Sequence, residues 1–201
     1  MKTYHYAIAT AVVLVLVSGS IFLLSKNKED LSSAPNQQAS GLDLNNLASS
    51  SLPRKGGVAE GITKRADPPE GYLRYQNDKY TFYFYHSPQS KITEYDAGAG
   101  AMIVTLENEE KVRGIQVFVV PYWETTISEE RFKKDIPSGV RTNVKATTLD
   151  GVEAVTFNSV DKDLGATREV WVIRGGYLYE ITTFQGLGDW FVPLMQTWRF
   201  F

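Results

Sequence analysis

Two histidines and no cysteine bound the chemistry open to this sequence. Without a thiol there is no disulfide framework, no thiolate zinc site and no cysteine nucleophile. His5 lies at the edge of an apolar leader, which leaves His86 as the one candidate base in the rest of the chain. A hydrolase built on it would take its nucleophile from Ser87 or Ser90 and its orienting carboxylate from Asp96. Neither serine sits in a nucleophile-elbow pattern, so His86 reads as a strand-end or turn residue. One imidazole among scattered carboxylates also makes a poor tetrahedral zinc set.

The acidic residues are no more selective. Asp161-Lys162-Asp163 offers alternate oxygens but lacks the length and terminal glutamate of a calcium loop, and reads as a hairpin turn. Glu107, Glu109 and Glu110 beside Lys111 read as a solvated turn between two strands. A catalytic carboxylate pair is defined by separation in space, and no motif picks one here. Gly98-x-Gly100, in the stretch Asp96–Ala101, precedes a strand where a phosphate cradle needs helix amides, so a flexible loop is expected. Gly186-x-Gly188 does precede a helix; an anion site there is weighed against a loop that turns Trp190 inward. No catalytic, metal or cofactor-binding residue is assigned, and no cofactor is expected. The formal net charge of -2 argues against a nucleic-acid partner.

What the sequence has in excess is aromatic surface. Tyr83, Tyr85, Tyr122 and Trp123 exceed what one sheet face needs if Phe82 and Phe84 fill the core. They form a candidate interaction patch, because exposed Tyr and Trp anchor interfaces. The competing reading is a second core layer under a covering helix.

The elements that carry these residues follow from periodicity. Alternation over Tyr80–Tyr85 puts Phe82 and Phe84 on one face and the tyrosines on the other. Ala101–Leu106 and Ile115–Val120 are β-branched and apolar, the second on both faces, as in a central covered strand. Arg141–Leu149, Val152–Val160, Thr167–Arg174 and Tyr177–Phe184 are separated only by turn signals such as Asp150-Gly151 and Gly175-Gly176, which predicts a meander of hairpins. One helix is predicted after a capping box at Thr126 and Glu129, ending near Asp135 before Pro137. Another is predicted from Asp189 to about Trp198, starting near Trp190 because Pro193 suits only a first turn. The fold class is α+β.

Residue types also divide the chain lengthwise. Ala7–Leu24 carries no charge, and with Tyr4–Tyr6 it makes a helix of about 31 Å, enough for a hydrocarbon core of about 30 Å. Residues 1–25 therefore read as a transmembrane signal-anchor spanning Tyr4 to Leu24. A cleaved signal ending at Ser18-Gly19-Ser20 is disfavoured, because Ile21–Leu24 continues the apolar run. Residues 26–69 contain no aromatic side chain, and Ser, Gly, Pro, Asn and Gln dominate them. Such a segment cannot offset an ordering cost of about 1–2 kcal/mol per residue and is predicted to be a disordered linker. Residues 70–201 hold every remaining aromatic and form the globular domain.

The order of these signals resembles the PsbP-like domains. Tyr72 and Tyr75 leading into Tyr80–Tyr85, with Pro88 following, are similar to the family's aromatic opening strand. Ile127–Phe132 resembles its first helix, and Thr148-Leu149-Asp150-Gly151-Val152-Glu153-Ala154 its Leu-x-Gly-x-x-Ala hairpin. Gly176–Ile181 and Phe191–Phe200 are similar to its penultimate strand and closing helix. His86-Ser87 depart from the Tyr-Pro usual at that point. The resemblance implies an antiparallel sheet of about seven or eight strands, covered by helices on both faces as an α/β/α sandwich. It also implies a non-enzymatic, exported accessory role; photosynthetic members assist the oxygen-evolving complex and help it retain calcium and chloride.

The resulting expectation is a single-pass membrane protein whose C-terminal domain is exported and binds an envelope protein or other surface component without catalysis. The alternatives are a hydrolase using His86 or an acidic pair, and an ion-retaining accessory subunit.

Overall fold

A computed structural model describes residues 60–108, 114–162 and 164–201. The predicted membrane segment Tyr4–Leu24 and most of the predicted linker lie outside the described residues. Among those described, no helix is long and apolar enough to cross a membrane.

The expected meander is present: β6 (Thr142–Leu149), β7 (Val152–Asp161), β8 (Gly165–Arg174) and β9 (Tyr177–Phe184) pair in sequence, all antiparallel. Its tight turns work because Asp150 and Gly151 (φ 51° and 82°) take the left-handed conformations that two-residue hairpins need. Ahead of the meander run β3 (Ser90–Gly98), β4 (Ala101–Asn108) and β5 (Gly114–Pro121), and β5 pairs with β9. The sheet order is β3-β4-β5-β9-β8-β7-β6. β5 and β9 are central, which is why Ile115–Val120 is apolar on both sides.

The aromatic opening strand does not join this sheet. β1 (Leu73–Asn77) and β2 (Phe82–His86) form a separate three-stranded sheet with β10 (Arg199–Phe200), in the order β1-β2-β10. The single sheet expected from the sequence is therefore two sheets. β3 is also a correction, since Asp96–Gly98 belongs to an edge strand and not to a flexible loop. The turn into β4 uses positive φ at Gly98, Ala99 and Gly100.

Strand alternation gives the large sheet two different faces. On the first, Val104, Val117, Val170 and Ile181 pack against Phe82 and Phe84 of the small sheet, and against α3 (Gly188–Gln196) with the Trp198 that follows it. The Trp198 ring lies flat on Phe82, with centroids 4.5 Å apart and planes at 3°. On the second, Phe157, Trp171 and Leu178 meet Phe132 of α2 (Glu129–Asp135), Ile136 and Tyr122. Phe132 stacks on Trp171 at 4.9 Å. The result is a mostly antiparallel body with few helices. The small sheet shares the cover of the first face, and Phe132 is the buried residue α2 brings to the second.

Helix boundaries differ from expectation in two places. Ser128, not Thr126, caps α2: its hydroxyl accepts from the Arg131 N–H at 3.2 Å. The Thr126 carbonyl is used instead as acceptor for the Tyr122 hydroxyl, and Glu129 pairs with Arg141. α3 begins at Gly188, so Pro193 stands inside it and forgoes one backbone bond.

The ordered body also starts before residue 70. α1 (Glu60–Thr63) seats Ile62, only 2% exposed, in the first-face core. The Ala66 N–H donates to the Gln196 carbonyl at 3.1 Å, and Arg65 pairs with Asp150 at 2.7 Å. The end of the expected linker is thus docked, held by one buried isoleucine and two polar ties.

Candidate functional site

The structure uses the residues of the imagined hydrolase separately. His86 is buried on the inner side of β2, its Nδ1 2.9 Å from the carbonyl of Ser87. The Ser87 hydroxyl donates to Gln89, and the Asp96 carboxylate accepts from the Gly98 N–H at 2.8 Å. Each partner is a near neighbour in sequence, as in turns, and no nucleophile–base pair forms. Asp161 accepts from the Leu164 N–H at 2.8 Å, as a hairpin turn requires. Asp163, Glu109 and Glu110 lie outside the described residues. Among the described residues no group of three or more His, Cys, Asp or Glu could hold a metal ion. At Gly188 the Arg168 guanidinium occupies the space a side chain would take.

A cavity of about 40 Å³ sits at the end of the large sheet, between Leu106, Gln116, Thr167, Thr182 and Phe184. It has room for a water-sized guest, far below the volume of a metabolite site.

The unusual chemistry lies inside the second face, at two carboxyls that sequence reasoning passed over. Register pairs Glu169 with Thr182 and Glu180 with Trp171, so all four side chains share that face. Glu169 is buried and accepts from the Thr167 hydroxyl at 2.7 Å and the Thr182 hydroxyl at 2.6 Å, with the Trp171 indole N–H at 3.4 Å. Burial pushes its carboxyl above the ordinary glutamate range, although these donors pull the other way. Glu180 accepts from Arg131 of α2 at 2.8 Å, and Arg131 also pairs with Asp135 one turn on. Burial first, and then the Asp135 charge, push Glu180 well upward against the pull of Arg131. Burial likewise raises Asp135, opposed first by Arg131. Such an arrangement can retain a proton and fasten α2 to the sheet. A signal was available: each glutamate interrupts an apolar strand, and the Gly175-Gly176 turn fixes which residues stand opposite.

The predicted patch is divided. Tyr83 and Tyr85 point outward from the small sheet, half-buried, with their rings 6.0 Å apart edge to face. Arg74 from β1 lies 3.8 Å over the Tyr83 ring, and the half-exposed Phe201 packs beside it at 6.1 Å. Arg74 and Phe201 were not foreseen as members of this surface. Tyr122 belongs elsewhere: it is 8% exposed, and its hydroxyl donates to Thr126 and accepts from the Ser128 N–H, holding the loop into α2. Trp123 is 85% exposed and lies over Gly176, where a Cβ would come within 2.6 Å of its ring. The four residues therefore sit on two different elements, and one of them is core.

No known family profile and no curated protein matches the sequence. The solution structure of cyanobacterial PsbP (CyanoP) from Synechocystis sp. PCC 6803 superposes with a TM-score of 0.50 at 14% identity, covering 68% of this chain and 98% of that one. The fold is PsbP-like. A crystal structure from Bacteroides thetaiotaomicron is a looser likeness, with a TM-score of 0.42 at 8% identity, covering 64% of this chain and 48% of that one. The resemblance read from the sequence thus holds for the PsbP-like body, which corresponds to nearly the whole cyanobacterial domain. At this identity no residue role transfers with it.

Proposed function

We propose that this chain is a membrane-tethered, extracytoplasmic accessory protein whose PsbP-like domain binds an envelope protein or other surface component and catalyses no reaction. The observation that carries the reading is the outward face of the small sheet, where Arg74, Tyr83, Tyr85 and Phe201 combine aromatic area with a planar cation. Such side chains supply contact area at low entropic cost and recur at binding hot spots. The uncharged run Ala7–Leu24 supports the tether, and the polar stretch after it supports reach from the membrane. The accessory role is the one that the PsbP-like fold favours.

Affinity capture from envelope fractions, with the full chain and with an Arg74, Tyr83, Tyr85 triple alanine variant, tests the binding. A partner retained by the wild type and lost by the folded variant supports the reading. Equal capture by both removes the aromatic surface from it. Protease added to intact cells tests the topology: shaving of the domain agrees with export, and protection reverses it.

A further inference from the structure

Arg131, Asp135 and Glu180 meet between α2 and β9 with side chains 10%, 11% and 8% exposed. That places one guanidinium against two carboxyls in a space largely shut off from water. Both carboxylates ionised would leave an uncompensated buried negative charge, which is strongly disfavoured. Both carboxyls approach the same nitrogen of Arg131, Nε, with Glu180 at 3.3 Å, so they stand beside each other where one proton can serve both. We propose that the loop of Tyr122 and Trp123 together with α2, residues 122–135, forms a cover over the Trp171 face of the large sheet, latched by one proton shared between Glu180 and Asp135, and that loss of this proton releases the cover.

The neighbouring groups do not supply a second positive charge to replace that proton. Lys134 of α2 acts on Asp135 through space and is more exposed. Arg141, after α2, is committed to Glu129 at 2.6 Å and lies 4.1 Å over the Phe132 ring. From the loop, Tyr122 presents its ring 6.0 Å from the Arg131 guanidinium and its hydroxyl to Glu124, a further negative group. From β8, Glu169 is occupied by Thr167 and Thr182, while β5 places the uncharged Phe118 opposite Glu180. The loop moves with the helix because Tyr122 accepts from the Ser128 N–H at the helix cap. Release would therefore shift Trp123 and bare Trp171. The inference is independent of the membrane tether and of any partner.

Hydrogen exchange on the full chain, followed by mass spectrometry from pH 5 to pH 8 and corrected for intrinsic exchange, tests it. A one-proton latch changes the opening equilibrium by up to about tenfold per pH unit. Protection over residues 129–135 should fall steadily with rising pH while β8 and β9 keep theirs. Glu180→Gln, which still offers a donor to Asp135 and an acceptor to Arg131, should give pH-independent protection of α2, and Glu169→Gln should leave the dependence in place. Asp135→Asn makes the same prediction as Glu180→Gln and serves if that variant does not fold. Constant protection in the wild type, an unchanged slope in both latch variants, or simultaneous loss from α2 and the sheet would each overturn the proposal.

Discussion

The two faces of the large sheet are filled by different physics. The first is an aliphatic surface against a pile of rings, in which Phe82, Phe84 and Trp198 lie nearly parallel at 4.5 to 6.4 Å. The second has rings as well, but carries Glu169 and Glu180 among them, with Arg131 and Asp135 descending from α2. Burying a side chain such as Phe contributes about 1.5–3 kcal/mol whatever the pH, whereas a buried carboxyl is favourable only while it is hydrogen-bonded and protonated or paired. One face makes the body stable, and the other makes part of that stability conditional.

The sharpest way to break this contrast is on the first face. Trp198→Ala empties the ring stack and should cost about 3–5 kcal/mol, read as a lower urea midpoint at every pH. Ile62→Ala should cost about 2 kcal/mol or more by the same measurement, because α1 is docked by that side chain. No change would return residues 60–69 to the linker. On the second face the effect should depend on pH. The folded carboxyls of Glu169 and Glu180 hold protons more tightly than the unfolded chain does, so the folded state binds more protons above the ordinary glutamate value of about 4.3. Their contribution is complete below that value, declines as pH rises through the folded values, and is gone above them. Trp123→Ala should be the mildest change, within about 0.5 kcal/mol in stability, because the ring is mostly in solvent.

Much of this architecture can be read from the chain. The meander follows from Asp150-Gly151 and Gly175-Gly176 between alternating runs, and the inward set Phe82 and Phe84 follows from the pleat. β1 and β3 were missed because Leu73–Asn77 and Ser90–Gly98 are mostly polar, as strands at a sheet edge can be without a strong periodic signal. The division into two sheets depends on the pairing of β2 with the C-terminal Arg199-Phe200, a contact too distant in sequence for local pattern to reveal. The aromatic patch was half legible. Alternation placed Tyr83 and Tyr85 outward, but nothing local distinguishes Tyr122 from Trp123, and a hydroxyl bonded to the next loop decides which is core. The buried carboxyls could have been anticipated from charge inside apolar strands; their coupling to α2 could not, because Arg131 arrives from a different element.

Urea unfolding of the fragment 60–201, which holds every described residue of both cores, is the most direct measurement. It should be run at pH 5 and at pH 8 on the wild type and on the Glu169→Gln, Glu180→Gln double variant. The two-faced account predicts that the wild type is clearly less stable at pH 8 and that the double variant loses most of that difference. An identical decline in both proteins would show that the second face is no more conditional than the first, and would contradict the account.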